Sequence, residues 1–212
     1  FLENGLEDGA KVSLLEYDGY PLIWSFYTRF FPAKVALVAL GDIIYWKGEE
    51  KDSRYVKFEN FQNGAYNLAH TISQDFRAVE HNRGISRNQR FSTGLPIPFA
   101  SEEQRDPEVL YMERKKVESS KKRYTNQYLG RLNSDGYVGG ILNATGLAEF
   151  TGNKKDLKIG FTKLGLEFYQ LKNELFGGGI SANLFNESKN NSPLSKEEQK
   201  FIMTNIIPKF SL

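Results

Sequence analysis

Cysteine is absent from the 212 residues of this chain, and histidine occurs only twice. The lack of thiols excludes disulfide bonds, thiolate nucleophiles and cysteine-based zinc sites. His70 and His81 stand eleven positions apart, and neither has a metal-ligating or nucleophilic partner at a recognisable spacing. The sequence therefore predicts no metal site and no cofactor.

Long apolar runs are also missing, since no segment approaches the roughly 18 residues that a membrane-spanning helix needs. The first residues, "FLENGLEDGA", contain neither the basic nor the apolar region of a secretory signal. We therefore expect a cytoplasmic protein without a membrane partner. Because the first residue is Phe, we also expect the chain to be a piece of a longer protein.

The net charge of +2 is too small to indicate a nucleic-acid partner by itself, but the basic residues are unevenly distributed. The segment "RKKVESSKKRYTNQYLGR" (114–131) contains seven basic residues and one acidic residue. A second segment, 77–90, holds Arg77, Arg83, Arg87 and Arg90 against Glu80 alone. These local concentrations are what a phosphate-binding face requires.

Apolar spacing predicts a mainly helical protein with one small β-hairpin. Helices are predicted over 32–47, 58–83, 109–132 and 138–147, with another after Thr162 as N-cap. Two strands flank the polar turn Gly152–Asp156, and Ser195 with Glu198 forms a capping box before the last helix. The Gly- and Asn-rich segment 177–193 is predicted to be a linker.

The Pro-rich segment 95–107 indicates a boundary between two modules. Residues 1–100 are predicted to form a helical module with an aromatic arm, itself helix-turn-helix-like around helices 32–47 and 58–83. Residues 108–212 are predicted to form the second module. The aromatic residues Trp24, Phe26, Tyr27, Phe30 and Phe31 suit either a stacking platform for single strands or a core, and the core is favoured.

The join "KIGFTKLGLEFYQL" resembles the strand-to-helix exit of MarR-type winged-helix proteins, with Phe161, Thr162, Gly165 and Leu166 at the matching positions. The resemblance covers residues 109–176 and implies a winged helix-turn-helix module. It places the recognition helix at 138–147 and the wing tip at Asn153, Lys154 and Lys155. The helix "VGGILNATGL" departs from that pattern, because it contains no Arg or Lys to read bases.

We therefore expect a non-enzymatic module that binds duplex DNA mainly through its phosphates. The candidate contacts are Lys115, Lys116, Lys121, Lys122, Arg123, Arg131, Asn143, Lys154 and Lys155. The alternative for the basic run is a solvated helix face. The arginines of 77–90 are open to the same two interpretations, or to pairing with the acidic N-terminal arm.

A protein-interaction module is the competing class, in which the winged helix docks onto another subunit or another domain of the parent chain. A homodimer is compatible with either class, through helix 58–83 or the terminal helix. An enzyme finds little support. The phosphate-binding sequence G-x-x-x-x-G-K-[ST] is absent, and the nuclease-like set Asp106, Glu113 and Lys115 is of a kind that arises easily by chance.

Overall fold

The computed structural model describes residues 30–46, 54–85, 90–98, 107–176 and 193–210. Several sequence predictions fall outside these ranges. They are the arm residues Trp24, Phe26 and Tyr27, together with Arg87, Asp106 and most of the predicted linker.

Helices dominate the described part of the chain, and a small antiparallel sheet accompanies them. The helices are α1 (Phe30–Trp46), α2 (Phe58–Asn82), α3 (Pro107–Tyr124), α4 (Ile141–Ala144), α5 (Lys163–Gln170) and α6 (Lys196–Phe201). The strands are β1 (Tyr55–Lys57), β2 (Arg131–Leu132), β3 (Val138–Gly139), β4 (Ala148–Thr151) and β5 (Lys158–Phe161). A π-helical turn, Thr125–Leu129, continues α3, and Glu174–Phe176 is a 3₁₀ turn. After α6 come a π turn, Ile202–Ile206, and a 3₁₀ turn, Ile207–Phe210. The mainly helical fold class is confirmed.

The helix predicted over 58–83 is confirmed almost to the residue as α2. Its buried positions include Phe58, Phe61, Ala65, Ile72 and Phe76, which recur at the helical spacing read from the sequence. Helix α1 confirms the prediction over 32–47, but its buried surface is wider than one stripe. It is covered on nearly all sides, because it packs against both α2 and α5.

The helices predicted over 109–132 and 138–147 are both shorter in the structure. Gly130, with φ +109°, leaves the helical conformation, and Arg131–Leu132 then pairs with Val138–Gly139 as a second hairpin. The turn predicted at 133–136 joins these two strands. The backbone of Gly140 also has a positive φ, so α4 begins only at Ile141. The second helix is therefore one turn long.

The three-stranded sheet has the order β1-β5-β4, with both pairs antiparallel. Ile159 at its centre faces Val56 on one side and Phe150 on the other. β1 comes from the predicted module 1–100, whereas β4 and β5 come from the predicted module 108–212. The two predicted modules are therefore in direct contact through one sheet, and the division of the chain between them stays a prediction.

Both predicted helix caps are confirmed. The Thr162 hydroxyl accepts a hydrogen bond from the Gly165 amide (3.0 Å) and donates one to the Gly146 carbonyl (2.6 Å). Ser195 and Glu198 form the reciprocal capping box at the start of α6. No helix of the described residues is long and apolar enough to cross a membrane.

Lys34 of α1 is a basic side chain buried inside the fold, with only 1% of its surface exposed. Its ammonium donates to the carbonyls of Phe168 (2.6 Å), Tyr169 (3.0 Å) and Leu171 (2.9 Å), where α5 ends. It also pairs with the buried carboxylate of Glu198 at 3.0 Å. Lys34 thus satisfies carbonyls left without partners at the end of α5 and ties α1, α5 and α6 together.

The Lys34 network generates a stability prediction. Lys34→Met keeps most of the side-chain volume but leaves the Glu198 carboxylate buried without its cation. Breaking a buried ion pair by removing one partner costs about 3–5 kcal/mol of unfolding free energy. Urea denaturation measures this loss.

Lys200→Met is the matched control, because Lys200 lies on α6, two residues after Glu198, but is exposed. A surface change of this kind is expected to stay within about 0.5 kcal/mol. Burial raises the pKa of Glu198 above 4.5, and the Lys34 charge opposes that rise. Without Lys34 the folded state therefore holds the Glu198 proton to higher pH, so the loss relative to the unsubstituted chain grows as pH rises through the already raised pKa of Glu198. Equal effects of the two substitutions would contradict this account.

Candidate nucleic-acid interface

A groove of about 610 Å³ lies between the β4–β5 turn, the start of α2 and the chain that follows the π turn. Four basic side chains line it, which are Lys57, Arg131, Lys154 and Lys155. We call it the basic groove. Gln62, Thr125 and Asn126 add polar groups to its wall.

The β4–β5 turn presents Lys154 and Lys155 through local hydrogen bonds. The side-chain oxygen of Asn153 accepts from the amides of Lys155 (2.9 Å) and Asp156 (3.2 Å). Gly152 enters the turn with φ +93°, and a Cβ at this position would lie 2.1 Å from the Asp156 carbonyl oxygen. Only glycine has both the backbone freedom and the small size that this turn needs.

Strand pairing brings the start of α2 to the same place. Lys57 faces Lys158 across the β1–β5 pair, and the Phe58 amide donates to the Leu157 carbonyl at 2.8 Å. The backbone at Lys57 is thereby fixed near the β4–β5 turn, and its side chain lines the groove. The first turn of α2 contributes the positive end of the helix dipole, which favours anions.

The third wall of the groove is fixed by a hydrogen bond between α2 and the end of the π turn. The Gln62 amide donates to the Gly130 carbonyl at 2.8 Å. Gly130 directly precedes Arg131, so this bond fixes the backbone position from which the exposed Arg131 side chain extends. Arg131 therefore lines the same groove as Lys154 and Lys155, which lie more than twenty positions later in the sequence.

The groove carries a surplus of positive charge. Its four basic residues face two acidic ones, Glu59 and Asp156, which leaves a difference of two charges. Asp156 also stands 4.0 Å from the ammonium of Lys158, just outside the groove lining. Exposed cations around a groove of this kind suit phosphate oxygens better than a neutral ligand.

The structure brings together Arg131, Lys154 and Lys155 among the predicted contacts. Lys121 and Lys122 lie one helical turn before Thr125 and Asn126, so they flank the groove. The Lys121 ammonium rests 4.5 Å from the ring centre of Tyr66 on α2. These two lysines extend the basic surface along α3.

Four other predicted contacts lie elsewhere. Lys115 and Lys116 are exposed farther back on α3, where the Lys115 ammonium stands 4.5 Å from the ring centre of Tyr111. Arg123 lines a different pocket, beside Arg77. The Asn143 amide donates to the Val138 carbonyl inside the fold. Its role as a DNA contact stays a prediction.

Residues that sequence reasoning missed are Lys57 and Gln62. Nothing in the local sequence around Lys57 indicates that it pairs with a strand about a hundred positions later. Gln62 has the pattern of an ordinary polar residue on a helix surface.

In the described part of the chain, no group of three or more His, Asp or Glu side chains is placed to hold a metal ion.

Comparisons with family models, with curated proteins and with solved structures give no match to this chain.

The close approach at Gly152 generates a prediction about the groove's shape. Gly152→Ala forces an alanine into a positive φ and places its Cβ against the Asp156 carbonyl oxygen. Gly136→Ala is the matched control, since Gly136 has φ +86° in the β2–β3 turn but open space around its Cα. The φ strain alone is about 1–3 kcal/mol, so Gly152→Ala should lose more stability than Gly136→Ala in urea denaturation. Equal losses would show that the contact with Asp156 imposes no constraint.

Proposed function

We propose that this chain is a non-enzymatic DNA-binding module of winged-helix type, and that it holds the phosphate backbone of a duplex in the basic groove. One observation carries the proposal, which is the convergence of Lys57, Arg131, Lys154 and Lys155 on one groove from three separate parts of the chain. Side chains dispersed in sequence but gathered on one face form the electrostatic footprint of a nucleic-acid site.

The β4–β5 hairpin supports the winged-helix assignment. It carries its lysines at the tip, and its second strand runs directly into the Thr162-capped helix α5. In this proposal the hairpin is the wing and grips backbone phosphates. Lys121 and Lys122 continue the contact along the duplex.

Sequence-independent binding follows from the short helix before the wing. Helix α4 has one turn, and the two polar side chains of the predicted recognition helix are engaged within the fold. Asn143 donates to Val138, and the buried Thr145 hydroxyl donates to the Ile141 carbonyl at 2.6 Å. Base edges are normally read by side chains free to reach them. We therefore propose phosphate contact without direct base readout by α4.

The experiment is a salt series of duplex binding, followed by fluorescence anisotropy. Each phosphate contact contributes about 0.9 to the slope of log K against log salt. Lys154→Gln with Lys155→Gln should therefore lower the slope by about 2 and weaken binding on several unrelated sequences alike.

Lys115→Gln with Lys116→Gln is the control of equal charge, since both lysines are exposed on α3 away from the groove. The slope should then stay within about 0.5 of the original value, because no groove contact is lost. Absent or salt-independent duplex binding would overturn the proposal. So would an equal loss in both double variants, because the effect would then follow net charge and not the groove.

A protein-docking function is the second candidate, and a cluster on α3 favours it. Val109, Tyr111 and Met112 lie within one turn of helix and are 49%, 55% and 52% exposed. Single exposed apolar side chains are common, whereas a cluster indicates a contact surface. The apolar face of α2, the helix first considered for a homodimer, is buried in the chain's own core.

Sedimentation velocity at increasing concentration tests the self-docking form of this candidate. If α3 mediates a homodimer, the chain should associate and Met112→Glu should return it to a monomer, because a buried unpaired charge opposes association. Tyr137→Glu is the control, since Tyr137 is 52% exposed but lies in the β2–β3 hairpin. If the chain stays monomeric at all concentrations, the homodimer hypothesis is wrong.

A further inference from the structure

A second basic pocket, of about 410 Å³, lies on a different face of the π turn from the basic groove. Arg77 of α2, Arg90 of the loop 90–98 and Arg123 of α3 converge on it. We call it the arginine pocket. Arg123 and Gln127, which are neighbours on one helical face, line this pocket, whereas Thr125 and Asn126 line the groove.

The loop that completes the pocket is fixed to both helices. The buried Glu80 carboxylate accepts from the Ser92 amide (2.8 Å) and the Ser92 hydroxyl (2.7 Å), which ties the loop to α2. The Ile97 amide donates to the Ser120 hydroxyl at 2.9 Å, which ties the loop to α3. The pocket is thus a built feature, and Arg90 lies two positions before the restrained Ser92.

The half-buried Arg77 is also held in place, because its Nε donates to the Ser73 hydroxyl at 3.1 Å. Burial lowers the pKa of Arg77, the Glu80 carboxylate raises it, and the charges of Arg90 and Arg123 lower it further. An arginine nonetheless stays charged at neutral pH. Three like charges therefore face one small space.

Nothing in the described residues neutralises this charge fully. None of the three arginines forms an ion pair among the described residues, and the single carboxylate of Glu80, held by Ser92, offsets only one of the three positive charges. Guanidinium groups match phosphate oxygens in pairs, through two parallel hydrogen bonds. Thr93 and Gln127 add polar groups of the kind that fix orientation.

We propose that the arginine pocket binds a terminal phosphate group, as carried by a phosphomonoester or a pyrophosphate. The pocket volume falls within the roughly 300–1,000 Å³ range of small-molecule sites, so it has room for more than a bare anion. The terminal phosphate comes from one of two sources, a free phosphorylated metabolite or the 5′ end of a nucleic-acid strand. The site stands independently of the basic groove, since the two share no lining residue.

Isothermal titration with pyrophosphate at constant ionic strength tests the pocket. A hydrogen-bonded charged pair corresponds to roughly ten- to hundredfold in affinity, so Arg123→Gln should weaken binding by at least tenfold. Arg77→Lys should also weaken it, because a lysine keeps the charge but loses the paired geometry. Arg77→Lys is preferred to Arg77→Gln because it keeps the positive charge at a half-buried position, so the protein should still fold.

Lys116→Gln is the control, because it removes one exposed charge from the same helix and should leave the affinity unchanged. Lys154→Gln with Lys155→Gln should also bind pyrophosphate normally, which separates failure of this site from failure of the DNA proposal. No measurable pyrophosphate binding, or equal binding by Arg123→Gln, overturns the proposal.

Two further titrations identify the source of the phosphate. One uses ribose 5-phosphate, and the other compares a 5′-phosphorylated duplex with the same duplex ending in a 5′ hydroxyl. A preference for the 5′-phosphorylated duplex that disappears in Arg123→Gln assigns the strand end. Binding of ribose 5-phosphate without that preference assigns a free metabolite. Either result supports the site.

Discussion

The antiparallel pairing of β1 with β5 is the constraint on which the candidate interface depends. It joins three residues just before α2 to the strand that follows the Lys154–Lys155 turn, and the Phe58 amide extends the junction to Leu157. Without this pairing, Lys57 and the first turn of α2 would have no fixed relation to that turn. The bond from Gln62 to the Gly130 carbonyl then adds Arg131 to the same groove. The groove is therefore a product of tertiary structure, assembled from chain segments that are far apart.

The buried charge of Lys34 fixes a second set of elements, which are α1, α5 and α6. Helix α5 follows β5 directly, and the carbonyls at its C-terminal end accept hydrogen bonds from the Lys34 ammonium. Glu198 both caps α6 and pairs with Lys34, and Asn173 donates to its second oxygen at 2.6 Å. An apolar replacement of a whole buried pair is often neutral for stability, so such pairs are better explained by the arrangement they specify. Here that arrangement is the docking of the C-terminal segment against α1 and α5.

Local features of this fold could be predicted from the sequence, because the residues that determine them are only a few positions apart. The spacing of Phe58, Phe61 and Ala65 sets α2, the Thr162 and Ser195 hydroxyls set two helix starts, and the polar turn 152–156 marks the β4–β5 hairpin. The ends of α3 and α4 were predicted wrongly, since Arg131–Leu132 and Val138–Gly139 gain more from pairing with each other than from continuing a helix. Lys34 and Glu198 gave no signal of their partnership, which only the folded chain creates. The same holds for Arg77 and Arg123, whose shared pocket joins two helices from the separately predicted modules.

An NMR titration of isotopically labelled protein with a short duplex shows most directly whether duplex DNA lies in the basic groove. We expect the backbone amide shifts to change first and most at Gly152–Asp156, with further changes at 57–59 and 130–132. Amides around Val109 and Met112 should remain unchanged. No changes at saturating duplex would contradict DNA binding and leave docking onto a protein as the better explanation of this surface. Changes confined to that part of α3 would place the duplex outside the basic groove and would contradict the proposal as well.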